Sequence, residues 1–176
     1  SELYSRAPYV SDRDRVQLDA EGSIQYGMYY WDDNYPDSHV FAEGECLRKT
    51  FDPDFMLYHT MAVDEWGHMK GADSAEYANA VAAVGHLIAA RMPEWLEKGY
   101  QVVVTADHGM NNLGIHVGTE YAQREVALYI FSDKVENGRF EENYISQLNV
   151  APLVCKLMGV PATEGMKQEL EIVFSK

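Results

Sequence analysis

Cysteine is scarce: Cys46 and Cys155 stand far apart in 176 residues, so neither a disulfide framework nor a paired-thiol zinc knuckle is available. A reducing cytoplasm is the compartment expected from that usage. Long hydrophobic runs are missing too. Nothing approaches the roughly 20 apolar residues of a membrane span, and no positively charged start precedes a short apolar block, so neither anchor nor signal peptide is expected and no membrane partner follows. Positive charge is also thin. Against 28 Asp and Glu there are 14 Lys and Arg, a net charge of −14 that repels polyanions and excludes a nucleic acid polymer as partner. A small anionic substrate would need a metal to draw it in. No internal repeat, low-complexity tract or linker divides residues 1–176, which read as one domain.

What is present is an ordinary globular composition, 47% hydrophobic and 12% aromatic, enough for one core. The first 35 residues mix charges with Tyr26, Tyr29, Tyr30, Trp31 and Tyr35 and hold no period for long, which predicts an irregular segment with one short strand. Asp37-Ser38 reads as a helix start, followed by a stripe of Val40, Phe41, Gly44, Leu47 and Phe51 that stops at Pro53. Asp54 to His59 reads as a buried strand. From the N-cap candidate Ser74, the residues Tyr77, Val81, Val84, Leu87, Ile88, Met92 and Trp95 predict one long helix ending near Gly99. Strands follow at Gln101 to Ala106 and Val126 to Phe131, then a helix from about Tyr144 to Met158, closed by Gly159 and Pro161. Helices alternating with apolar strands predict a layered α/β/α fold with a mostly parallel sheet, whose ligands gather at strand ends.

Two groups of metal-binding side chains fall just past such ends. Asp64-Glu65-Trp66-Gly67-His68 places a carboxylate and an imidazole one helical turn apart, close enough to share an ion; the bland alternative is a solvated helix start with an acidic first turn. Asp107-His108 directly follows the strand run Val102-Val-Val-Thr-Ala106, so a simple continuation of the core is excluded. Adjacent residues point apart, and the pair can serve two ions, or one ion and the groups that orient its ligands. Gly109 is expected to turn the chain sharply beneath them. His116, between Gly114 and Gly118, fits a loop folding back to the same place. His59, at the end of a strand, is a candidate for supporting a ligand, whereas His39 and His86 read as surface or packed histidines. The acid-rich stretch Glu136 to Asn143 reads as a solvated face. Imidazole with carboxylate suits zinc, manganese or iron, the equipment of a metal-dependent hydrolase.

The order Asp64-x-x-Gly67-His68, then Gly71, Ser74, Glu76 and Tyr77, a long helix, Val-Val-Thr-Ala-Asp107-His108-Gly109-Met110 and His116-x-Gly118 resembles the type I phosphodiesterase / nucleotide pyrophosphatase branch of the alkaline phosphatase superfamily. Asn149-Val-Ala-Pro152 and Leu157-Met-Gly-Val-Pro161 extend the likeness, which covers roughly residues 50 to 162. The resemblance implies an alkaline-phosphatase-like fold, incomplete at the N-terminus, and two divalent metal ions in the parent enzyme, zinc first and manganese or iron next. It assigns Asp64, His68 and His116 to one ion, a complete site in this chain, and Asp107 and His108 to a second. The family's Thr or Ser nucleophile and a further aspartate lie upstream in its pattern. Ser5 and Ser11 do not match them, so no catalytic nucleophile is assigned here.

The function implied is hydrolysis of phosphodiester or pyrophosphate bonds in small, nucleotide-like anionic substrates, by a C-terminal metal-binding part that is inactive alone. Phosphomutases, phosphonate hydrolases and sulfatases of the same superfamily remain alternatives, as does a non-catalytic metal-binding module. A sheet lacking neighbouring strands would expose an apolar edge and allow a homo-oligomer.

Overall fold

Two short antiparallel strands open the described chain, where the sequence predicts one. β1 (Val16–Leu18) pairs with β2 (Tyr26–Met28), with Val16 opposite Met28 and Leu18 opposite Tyr26. The computed structural model describes residues 15–30, 32–138, 144–166, 170 and 172–175. Ser5, Ser11, Trp31 and the part of the Glu136 to Asn143 stretch beyond residue 138 lie outside them.

Helix α1 (Asp37–Phe51) matches the predicted stripe, with Phe41 buried and stacked on Tyr58 at 5.2 Å between ring centroids. Its N-cap is Pro36, and the Asp37 carboxylate caps nothing in its own helix. Instead Asp37 Oδ1 accepts from the backbone N–H groups of Met61 and Ala62, at 3.1 and 3.4 Å, where α2 (Ala62–Lys70) begins. Those are orphan donors of a helix start, and the buried carboxylate pins α2 beside α1. The expected strand at Asp54 to His59 is not formed. Met56 and Tyr58 turn inward while Phe55 and Leu57 are exposed, the alternation of a strand, but no neighbouring strand among the described residues completes a ladder.

Ser74 caps α3 (Ala75–Ala89), its Oγ accepting from Tyr77 N at 3.1 Å, and α3 packs on α2. The single long helix of the sequence reading is two: α3 ends at Ala89 and α4 (Met92–Glu97) starts afresh. Pro93 explains the break, because it has no N–H to give the Ala89 carbonyl and its ring crowds that turn. These elements belong to two compact units, Ser1–Ala90 with His108–Glu125, and Arg91–Asp107 with Val126–Lys176.

In the second unit, β3 (Val102–Val104) pairs with β4 (Tyr129–Phe131), Val102 opposite Phe131 and Val104 opposite Tyr129. The pairing is antiparallel, so the expected mostly parallel sheet is replaced, among the described residues, by two-stranded antiparallel sheets in a mixed α/β fold. A parallel pair needs a crossover, usually helical, that carries the chain back to the starting end. Between β3 and β4 the one helix is the four-residue α5 (Tyr121–Arg124), and the chain enters β4 opposite the residue where it left β3. The last helix also begins later than predicted. Ser146 accepts from Leu148 N to start a 3₁₀ turn, and α6 (Val150–Met158) follows, because Pro152 has no N–H for the Leu148 carbonyl. Its close is as expected, with Gly159 left-handed at φ 74°. No helix among the described residues is long and apolar enough to cross a membrane.

Candidate metal centre

Helix α2 presents Asp64 and His68 on one face, and the loop between β3 and α5 brings His108 and His116 to the same carboxylate. Ligand atoms of Asp64, His108 and His116 all lie within 4.8 Å of one another. His68 Nε2 stands 3.4 Å from Asp64 Oδ2, and His108 Nε2 stands 3.8 Å from Asp64 Oδ1. Two atoms bound to one tetrahedral ion at zinc-like bond lengths are about 3.4 Å apart, so both spacings suit a shared cation. The His116 ring stacks on His108 at 3.8 Å and lies 5.0 Å from His68.

Proton placement on two of these rings follows from their partners. His68 Nδ1 meets the Gly114 carbonyl at 2.7 Å, and His108 Nδ1 meets the Gly109 carbonyl at 3.0 Å. A carbonyl can only accept, so each Nδ1 donates, and in the neutral ring each Nε2 offers a lone pair toward Asp64. Lone pairs facing a carboxylate repel it unless a cation stands among them. Asp64 Oδ1 is moreover buried without any hydrogen bond, a costly arrangement for a carboxylate unless a positive charge answers it. The donor set therefore fits a divalent metal. The same carboxylate keeps the nearby Tyr77 phenol above its ordinary range, second to the larger effect of burial.

Two glycines shape this place. A Cβ on Gly67 would come within 2.8 Å of Met110 Cε, so buried Met110 packs directly on the helix one residue before His68. Gly114 holds φ 72°, and a Cβ there would lie 2.7 Å from the His68 carbonyl oxygen. Gly109 does not hold a positive φ, and its lack of a side chain serves close packing, since a Cβ there would strike the Ala122 carbonyl.

Asp107 is the last residue of its unit's first segment, and its carbonyl accepts from Gln147 Nε2 at 3.0 Å. His59 is engaged elsewhere, its Nδ1 2.7 Å from the Tyr30 hydroxyl. Residues that the sequence reading passed over also build the site: Asn111, Glu120 and Gln123 bind the loop that carries His116. Their one legible signal was the Glu120-x-x-Gln123 spacing, a capping-box pattern that is realised at α5.

Comparison with known proteins agrees with the motif order. A family model described as type I phosphodiesterase / nucleotide pyrophosphatase matches residues 6–152, and the chain belongs to that family. The match begins well before residue 50, where the likeness read from motifs starts. Among curated relatives, GPI ethanolamine phosphate transferase 3, catalytic subunit, of Mus musculus is 27% identical over 157 residues, 85% of this chain and 14% of the relative. The Homo sapiens protein of the same name is 29% identical over 115 residues, 64% of this chain and 10% of the relative. GPI ethanolamine phosphate transferase 2 of Debaryomyces hansenii is 25% identical over 121 residues, 61% of this chain and 14% of the relative. The chain thus spans about a seventh or less of these relatives. No solved structure matches.

Proposed function

We propose that this chain supplies the metal-binding side of a centre that processes phosphoesters, using divalent ions held by Asp64, His68, His108 and His116. The observation that carries the reading is the Asp64 carboxylate, one oxygen buried without a hydrogen bond and two imidazole Nε2 atoms turned toward it. A bound divalent ion supplies Lewis acidity toward a phosphoryl oxygen. The residues contribute orientation: the Gly114 and Gly109 carbonyls fix which nitrogen of His68 and His108 carries the proton. Family membership supports hydrolysis of a phosphodiester or pyrophosphate of a small, nucleotide-like substrate.

A second reading, transfer of a phosphate-containing group to an acceptor other than water, is favoured by the names of the relatives, which are ethanolamine phosphate transferases. Net charge −14 supports metal-assisted capture of an anion in either case.

Elemental analysis of the dialysed chain tests the metal centre. About one equivalent of transition metal per chain is expected, lost on Asp64→Asn, and a chain without metal contradicts the reading. Release of nitrophenol from an aryl phosphodiester tests the chemistry. The chain by itself is expected to give none; metal-dependent release abolished by Asp107→Ala would place the nucleophile within these residues.

A further inference from the structure

His116 is carried on a loop between Met110 and Tyr121 that has no regular helix or strand. Apolar packing does not hold it either, since Leu113 is 81% exposed and Val117 79% exposed. Two buried amides do. Asn111 Oδ1 accepts from Leu113 N and Ile115 N, both at 3.0 Å, and Asn111 Nδ2 donates to Glu120 Oε2 at 3.1 Å. Gln123 Nε2 donates to the Ile115 carbonyl at 3.1 Å, and Gln123 Oε1 accepts from Glu120 N at 3.1 Å. The Asn111 N–H reaches the same Ile115 carbonyl at 3.1 Å. Ile115 is therefore gripped at both its N–H and its carbonyl, and the next residue is His116. Both amides are buried, so each bond replaces one that water cannot supply, and losing it leaves an unpaired polar group.

We infer that Asn111, Glu120 and Gln123 are positioning residues whose network sets the His116 ring against His108 and Asp64, and thereby the metal affinity of the centre. The affinity part rests on the function proposed above; the ring placement does not.

Asn111→Asp sets a carboxylate against that of Glu120 and removes the donor between them. Adding Glu120→Gln returns a donor facing the new acceptor and restores the native net charge. In Co(II) titrations followed by visible absorption, Asn111→Asp is expected to weaken binding about tenfold and to alter the band, as loss of a partner that orients ligands does, while the double variant returns to within about threefold of native. In the metal-free chain, proton NMR of the His116 ring reads its stacking on His108 directly. The ring-current shift should be lost in Asn111→Asp and recovered in the double variant, with melting temperatures of native and double variant alike. A native His116 resonance in Asn111→Asp overturns the inference, as does a well-folded double variant that fails to recover it. Should Asn111→Asp not fold, Gln123→Leu, which spares the Asn111–Glu120 bond, is read the same way. A native chain that binds no Co(II) defeats the metal reading, and the ring shifts then still decide whether the network places His116.

Discussion

Asp37 and Asp64 lie on successive helices of one unit, and each leaves a buried carboxylate oxygen without a hydrogen bond, Oδ2 in the first and Oδ1 in the second. Their other oxygens meet different company. Asp37 Oδ1 receives two backbone N–H groups at the start of α2, whereas Asp64 Oδ2 faces the Nε2 of an imidazole whose Nδ1 is bonded to a carbonyl. Burial alone thus does not mark a functional carboxylate. A carboxylate supplied with fixed donors ties two helices together, and one surrounded by lone pairs is a place for a cation.

The largest effect expected from that difference is on metal affinity. Asp64→Asn should weaken divalent-metal binding by at least about 100-fold, the upper range for loss of a partner that merely orients ligands, while Asp37→Asn stays within about threefold. Calorimetric titration of both variants checks this, and equal losses would erase the distinction. Next comes stability. Asp37→Ala strands the N–H groups of Met61 and Ala62 and should cost about 2 kcal/mol in urea unfolding, within the range for hydrogen bonds to charged groups. Asp64→Ala in the metal-free chain should cost less than half of that.

The pH dependence sharpens the contrast further. Burial holds the Asp37 carboxyl above its ordinary range, against the lowering by the Met61 and Ala62 N–H groups and by His59. Folding therefore favours the protonated acid: its stabilising contribution is full below the unfolded value of about 4 and is lost as pH rises through the folded value. Asp37→Asn carries no such proton, so its stability relative to the native chain should climb as pH rises from about 4 and then level off. Chemical unfolding at a series of pH values reads this, and a difference that falls over the same window would reverse the assignment. The smallest effect concerns His59. Its replacement by alanine should cost about 1 kcal/mol through the lost Tyr30 bond and leave metal affinity unchanged, since its Nδ1 is committed to that hydroxyl.

The elements that were legible in the sequence are those governed by local rules. Helix α1 followed its apolar stripe, Ser74 capped α3, and Gly159 closed α6, because each depends on residues within a turn or two. Pro93 and Pro152 act by a local rule too, and each moves a helix boundary away from where the apolar stripe alone would put it. The strand at Asp54 to His59 failed for another reason, since alternation describes a surface and a ladder needs a neighbour. At the candidate site, Asp64, His68, His108 and His116 could be named from spacing and motif order, while Asn111 could not and Gln123 offered only its spacing from Glu120. A buried amide looks like any other polar residue until its partners are known.

Residue identities and their order determined the family, the donor chemistry available to a cation and the acidic surface, because these depend on side-chain type and spacing alone. The tertiary structure decided which carboxylate ties helices and which meets imidazoles, that β3 and β4 run antiparallel, and how His116 reaches His108. Those outcomes depend on contacts between residues distant in sequence, where strand direction and hydrogen-bond supply are set by the path of the chain in space.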